Sequence, residues 1–231
     1  MKLKLTLRFS IAFMMCTFVL HEAHELVHTS VGRLICGCWG LRDFNAWQLC
    51  NGCGEQKPYA IIATFAGPLF TYIMLWIGAL LIGNTKTASQ NAMGFSLLFA
   101  NKPFARIFTA ATGGGDEVSG LNFLLKNHML AWIIGFTIVI LITIIPLYKA
   151  FNLIENKYRT GWFILFLVGP MLIEWIVIFG LMNTLLKQGV LSNYWILGSP
   201  VLVTAWTMLT LIAFTITRKY IYALNVNYTL M

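Results

Sequence analysis

The residues best suited to chemistry are concentrated in one octapeptide, HEAHELVH, at positions 21–28. Its last five residues, from His24 to His28, form the pattern His-Glu-x-x-His. On a helix, side chains four residues apart lie on one face, so both imidazoles can reach the same metal ion. Zinc binds imidazole nitrogen at about 2.0–2.1 Å, and a glutamate after the first histidine is placed to take a proton from water. The pattern predicts a zinc site with His24 and His28 as ligands and Glu25 as catalytic base.

The octapeptide contains two further ionisable residues with different expected roles. His21 shares the face of His24, but a helix separates it from His28 by about 10 Å, too far to share one ion easily. We therefore expect His21 beside the ligands or at the entrance of the site. Glu22 points away from this face.

A catalytic zinc takes a third protein ligand and leaves its fourth position to water. The chain has only eight aspartates and glutamates. Asp116 and Glu117 directly follow three glycines, where the backbone can bend sharply and approach a ligand closely. Asp116 is the first candidate and Glu117 the second. Glu174 lies inside an apolar run, which makes it a further functional candidate with His21 or Arg106 as a partner.

The composition indicates what kind of molecule must position these residues. Hydrophobic residues make up 58% of the chain and charged residues 10%, with a mean hydropathy of +0.76. Soluble domains have about 45–50% apolar and about 25% charged residues. This difference excludes a disordered protein, a coiled coil and an ordinary cytosolic enzyme. The net charge of +8 does not indicate nucleic-acid binding, because Lys and Arg occur in ones and twos at the ends of apolar runs.

The chain is long enough for about six membrane spans, since one span needs about 20 apolar residues. The third apolar run is interrupted by Asn101, Lys102, Pro103 and Arg106, and it ends in a glycine run. Such a backbone is tolerated at membrane depth only inside protein or beside a water-filled cavity. We predict an all-α integral membrane protein whose third segment is broken around a polar cavity. The predicted spans are 5–35, 59–83, 92–111, 129–148, 161–186 and 194–217.

We expect one membrane domain over residues 1–231. Residues 1–127 would form a three-span core with a cysteine loop at 36–58, and residues 128–231 three further spans. A weak internal echo relates Ala66-Gly67-Pro68 to Val168-Gly169-Pro170. Some transporters are built from repeats with broken helices, so this echo is compatible with transport.

These features together resemble the site-2 protease family, intramembrane zinc metalloproteases that cut within the transmembrane helices of their substrates. The resemblance covers residues 11–120 and includes the first-span motif, Ala66-Gly67-Pro68 on the second span, and an aspartate beside glycines on a later segment. It implies Zn²⁺ as cofactor, His24, His28 and Asp116 as its ligands, and Glu25 as catalytic base. It also implies a membrane-protein substrate cut by metal-activated water in the lipid bilayer.

Other functions use the same residues differently. A non-proteolytic metal-binding membrane protein or transporter is favoured by the internal echo and by Glu174. It is also favoured by the sequence Gly115-Asp116-Glu117, which lacks the Leu-Asp-Gly context of the family. A di-iron hydroxylase or desaturase needs more histidines than the four in this chain. The sequence contains no indication of the oligomeric state.

Orientation and the state of the cysteines are linked questions. We expect a multi-pass protein of a bacterial-type cell membrane. Nine Lys and Arg flank the spans on the side of the termini and five on the other side, which favours cytoplasmic termini. That orientation places His24 near the outer face, whereas the family holds its zinc nearer the cytoplasm. If the cysteine loop lies in an oxidising compartment, two disulfides are expected. If it lies in the cytoplasm, a four-thiolate zinc site is expected. The cysteines concerned are Cys36, Cys38, Cys50 and Cys53.

Overall fold

The computed structural model describes residues 1–224, which fold into helices; strand-like pairing is confined to isolated bridges such as Arg42 to Trp47. The α-helices are α1 (Leu7–Cys36), α2 (Cys53–Gln56), α3 (Ile62–Leu81), α4 (Ala88–Ala100), α5 (Pro103–Ala111), α6 (Gly115–Leu125), α7 (His128–Leu153), α8 (Arg159–Glu174), α9 (Asn183–Lys187) and α10 (Val201–Thr217). A 3-10 turn (Pro58–Ile61) precedes α3, a π-helical segment (Trp175–Met182) joins α8 to α9, and 3-10 segments (Ile196–Gly198 and Arg218–Leu224) flank α10.

Four helical stretches of the described chain are long and apolar enough to cross a membrane, which indicates a membrane protein. They correspond to the second, fourth, fifth and sixth predicted spans, with shifted ends. The largest shift is in the last span, which was predicted from residue 194. There Ser199 is extended and the helix begins only at Val201, because the residue before a proline is pushed out of the helical region. The four stretches are Pro58–Leu81, His128–Leu153, Arg159–Lys187 and Val201–Leu224.

The first predicted span is the 30-residue helix α1, which has charged residues in its middle. Thr6 starts it by accepting a hydrogen bond from the amide of Phe9. Gly37 ends it with a positive φ of 83°, a left-handed conformation that glycine adopts without strain. The helix therefore runs without interruption past the whole His-Glu-x-x-His motif.

The third predicted span, residues 92–111, is divided between α4 and α5, and α6 follows it; the three helices have 13, 9 and 11 residues. Each is shorter than the roughly 20 residues that cross a bilayer. Lys102 separates α4 from α5 with a φ of 50°, and Pro103, which has no amide hydrogen, starts α5. Gly113 and Gly115 have φ values of 79° and 82° and turn the chain into α6. These turns direct Arg106 and Asp116 toward α1.

An aromatic core fixes α1 against α4 and α8. The ring of Phe166 lies 5.0 Å from that of Phe95 and 5.5 Å from that of Phe13, in edge-to-face contacts. Phe9 packs on the same ring at 6.1 Å. Such pairs contribute about 0.5–1.5 kcal/mol each beyond their burial. The core lies between the candidate site and the end of the molecule where α1 begins.

Two disulfides, Cys36–Cys53 and Cys38–Cys50, close the loop between α1 and α3. Of the two alternatives that the sequence left open, the structure has the disulfide-bonded loop. Cys16 is a free thiol buried within α1.

The same loop is anchored to the rest of the protein through Arg42. Its guanidinium pairs with the Glu22 carboxylate at 3.1 Å, and both side chains are 2% exposed. Arg42 also donates to the Ser199 hydroxyl at 3.1 Å. At the surface, the Tyr194 hydroxyl donates to Asp43 at 2.6 Å. Partial burial and this carboxylate raise the pKa of Tyr194 to about 12.

Candidate metal centre

Three side chains from two elements converge beside the middle of α1. His24 and His28 lie one turn apart on α1, and their Nε2 atoms are 3.0 Å from each other. Asp116, in the first turn of α6, places Oδ2 3.4 Å from His24 Nε2 and 3.6 Å from His28 Nε2. The three residues form a group able to hold one metal ion, the only group of this kind found in residues 1–224.

The spacing of these donors fits zinc. Ligands bound tetrahedrally at about 2.05 Å lie about 3.3 Å from one another. The observed separations of 3.0, 3.4 and 3.6 Å bracket that value. Two imidazoles and one carboxylate are also a donor set that catalytic zinc sites use, with a fourth position left open.

Each histidine is oriented through its other ring nitrogen. His24 Nδ1 lies 2.9 Å from the Thr71 hydroxyl, and His28 Nδ1 lies 2.6 Å from the Ala63 carbonyl, both on α3. An imidazole that binds metal through Nε2 carries its proton on Nδ1 and donates it to such an oxygen. The helix α3 therefore fixes the rotation of both rings.

The surroundings of His28 are closely packed. A Cβ on Gly67 would overlap the His28 ring, so only a residue without a side chain lets α3 approach at this point. On the other side, the Trp47 ring stacks on His28 at 4.7 Å and 13°. His28 is fully buried as a result, and the disulfide-bonded loop covers the site.

Asp116 and Glu117 have separate positions, although they are neighbours in sequence. Glu117 is buried and accepts a hydrogen bond from the Tyr72 hydroxyl at 2.5 Å, away from the histidines. The structure thus brings Asp116, and not Glu117, to the two imidazoles. This is the order in which the sequence ranked them.

Glu25 is 6% exposed and lies on the wall of the cavity that His24 and Asp116 also line. Its Oε2 atom is buried and has no hydrogen-bond partner within residues 1–224. A buried carboxylate oxygen without a partner is costly, and a water, an ion or a substrate group can complete its bonding. Glu22 and Glu117 each have one such oxygen too, but of the three residues only Glu25 lines the cavity of about 260 Å³.

Arg106 brings a positive charge to the same place. Its Nη1 donates to Asp116 Oδ2 at 2.9 Å, and its Nη2 lies 2.5 Å from His24 Nε2. Guanidinium has no acceptor and cannot share that nitrogen with a cation. Metal binding therefore requires the guanidinium to leave His24, and Glu117, 3.7 Å from Nη1, offers a second carboxylate partner.

A second charged group lines the other part of the cavity. The Lys102 ammonium contacts Glu174 directly and lies 3.2 Å from His21 Nδ1, while His21 Nε2 lies 2.8 Å from the Phe44 carbonyl. Glu174 thus pairs with Lys102 and His21, whereas Arg106 pairs with Asp116. His21 lies on the wall of the cavity and outside the metal-ligating group.

Thr71 and Trp47 were absent from the expectations drawn from sequence, whereas Arg106 and Gly67 were named there in other roles. Arg106 carried a signal, because a cation inside an apolar segment is a functional candidate by default. Thr71 and Trp47 carried none, since a threonine in an apolar helix and a tryptophan in a loop are common. Gly67 was noted only as part of a Gly-Pro pair.

Comparison with known proteins adds no relative. No protein-family model, no curated protein and no solved structure matches this chain.

Proposed function

We propose that this protein is an intramembrane zinc metalloendopeptidase with about six membrane-crossing segments, similar in mechanism to the site-2 proteases. The observation that carries the proposal is the group of His24, His28 and Asp116 at zinc-compatible spacing beside an unpartnered Glu25 carboxylate. His24, Asp116 and Glu25 line a cavity that also holds Lys102, Arg106 and Glu174.

His24, His28 and Asp116 would hold the ion. A bound zinc ion supplies Lewis acidity, which polarises a carbonyl and makes water a stronger nucleophile. Glu25 accepts the proton of the attacking water and passes it to the departing amine. Arg106, on the cavity wall, stabilises the negative charge that develops on the carbonyl oxygen.

The substrate must reach this cavity in an extended form, because a peptide bond within a helix is shielded from attack. Trp47 and the disulfide-bonded loop cover the ligands from one side. The short helices α4, α5 and α6 leave polar groups on the other side, including Asn101 and Lys102. This irregular wall supports an entry for water and for an unwound peptide.

Purified variants in detergent test the proposal in two steps. We expect one zinc per chain in the wild type and none in His28→Ala. Glu25→Gln should keep the zinc and lose turnover by about 10²–10⁴-fold, the usual contribution of a general base. Glu55→Gln, a change at an exposed loop acid, is the matched control and should behave as the wild type.

The substrates for the second step are single-span peptides in liposomes, with a helix-breaking Gly-Pro pair and a fluorophore and quencher on either side of it. Unchanged turnover in Glu25→Gln would contradict proteolysis at this site. Uptake of zinc into vesicles that does not depend on Glu25 would instead favour the transporter alternative.

A further inference from the structure

The candidate metal centre lies near one end of the molecule, the end that carries the disulfides. His28 precedes Cys36 by eight residues on α1, about 12 Å along the helix. The loop closed by Cys36–Cys53 and Cys38–Cys50 reaches back to the site, where Trp47 stacks on His28. A bilayer has a hydrocarbon core of about 30 Å. Both ligands of α1 lie nearer the disulfide-bonded end of that helix than its start, since His24 is about 18 Å from Cys36 and about 26 Å from Leu7.

The opposite end gathers the positive charge. There the Met1 ammonium pairs with Glu155 at 2.9 Å, and the amide of Lys4 donates to the carbonyl of Leu224 at 2.8 Å. Lys149 donates to a carbonyl near the end of α3 at 2.7 Å, which places the 82–87 turn at this end too. The cations carried by these segments are Lys2, Lys4, Arg8, Lys86, Lys149, Lys157, Arg159, Arg218 and Lys219.

The disulfide-bonded end has fewer cations. They are five in number, and Arg42 is already neutralised by its buried pair with Glu22. The five are Arg33, Arg42, Lys57, Lys126 and Lys187.

Two independent physical rules then select the same orientation. Segments rich in Lys and Arg stay in the cytoplasm. Disulfides form and persist outside it, in oxidising compartments. Each rule alone places the N-terminal end inside and the loop of residues 37–57 outside.

We propose that the metal centre opens in the extracytoplasmic half of the membrane. If the protein is the protease proposed above, on which this part rests, its substrates are membrane-anchored proteins cut at the extracytoplasmic end of their span. The peptide that enters the cavity would come from the outer leaflet or from the segment just outside it. This is the opposite side from the one that the resemblance to site-2 proteases implies.

Orientation is testable without any proteolysis. Asn193→Cys and Thr85→Cys introduce single thiols at exposed positions on opposite ends. The native background is low, because Cys16 is buried and the other four cysteines are in disulfides. In intact bacterial cells, a membrane-impermeant maleimide should label Asn193→Cys fully. It should label Thr85→Cys only after the cells are permeabilised.

The reverse labelling pattern would overturn the proposal, as would equal labelling of both variants. The loop cysteines give a second reading, since in membranes from these cells they should react with maleimide only after reduction. Free loop thiols in oxidising medium would also contradict the proposal.

The substrate part uses single-span peptides with the Gly-Pro break in either half, oriented in liposomes that hold the purified protein. Cleavage confined to the extracytoplasmic half supports the proposal. Cleavage in the cytoplasmic half overturns it and leaves the protease function intact. If Asn193→Cys is labelled in intact cells but no peptide is cleaved, the result contradicts the protease function and supports the proposed orientation.

Discussion

Gly67→Ala is the most direct perturbation of the metal centre that avoids its ligands. Gly67 lies in the helix α3, where alanine is favoured over glycine by about 1 kcal/mol, so the backbone itself accepts the change. The added methyl group would overlap His28 Nε2 and come within 2.5 Å of Cδ2 and 2.7 Å of Cε1. The substitution thus acts on one ring and on the spacing of two helices.

The size of the effect follows from these contacts. Carbon atoms in contact lie about 3.5–4.0 Å apart, so the ring must retreat by about 1 Å. It has little freedom to do so, because Nδ1 is held by the Ala63 carbonyl and Trp47 covers the other face. Zinc–ligand distances tolerate about 0.2 Å. We expect zinc affinity to fall by more than the roughly 10–100-fold typical of an outer-shell change. Overpacking should lower the free energy of unfolding by about 1–3 kcal/mol.

The assay compares zinc per chain, zinc affinity by chelator competition, and thermal unfolding in detergent. Gly169→Ala is the matched control, because Gly169 also precedes a proline in an apolar helix. Its Cβ would meet only Leu165 Cδ1 at 3.8 Å, an ordinary contact. Gly169→Ala should bind zinc as the wild type does. Wild-type zinc affinity in Gly67→Ala, in a protein whose zinc depends on His28, would refute the reasoning.

Two further substitutions test neighbouring contacts. Thr71→Val removes the oxygen 2.9 Å from His24 Nδ1 and should lower zinc affinity by about 10–100-fold, measured by chelator competition. Thr210→Val, at a buried threonine of α10, should leave it unchanged, and equal losses in both variants would contradict a specific role. Arg42→Leu leaves the buried Glu22 carboxylate unpaired and should cost about 3–5 kcal/mol of unfolding free energy. The double variant with Glu22→Leu should recover much of that loss in thermal unfolding, and no recovery would argue against the ion pair as the cause.

Sequence reasoning worked best where the determinants are local. Composition and the length of the apolar runs predicted a helical membrane protein, and in the described chain four of the six predicted spans are helical stretches long and apolar enough to cross a membrane. The i, i+4 spacing of His24 and His28 specified their common face before any tertiary contact was known. The run of glycines before Asp116 indicated a turn that brings a carboxylate toward another element.

Contacts between residues that are distant in the chain could not be predicted from the sequence in this way. Of the two partners expected for Glu174, His21 is one and Arg106 is not; the sequence did not indicate Lys102, whose position depends on the break between α4 and α5. The similarity of the two Gly-Pro segments does not extend to their packing, because a Cβ on Gly67 would overlap the His28 ring and one on Gly169 would meet only Leu165. The two similar segments therefore have different structural roles, because each packs against a different neighbouring residue.

The sequence by itself determined which groups are available on α1, with two imidazoles on one helix face and a glutamate next to the first, because a helix has a fixed period. It also ranked Asp116 above Glu117, but only the tertiary structure brought Asp116 to the imidazoles, paired the cysteines and placed Arg106 against His24. Those choices join residues distant in the chain. They depend on how closely α3 and α6 approach α1, which is set by packing across helices.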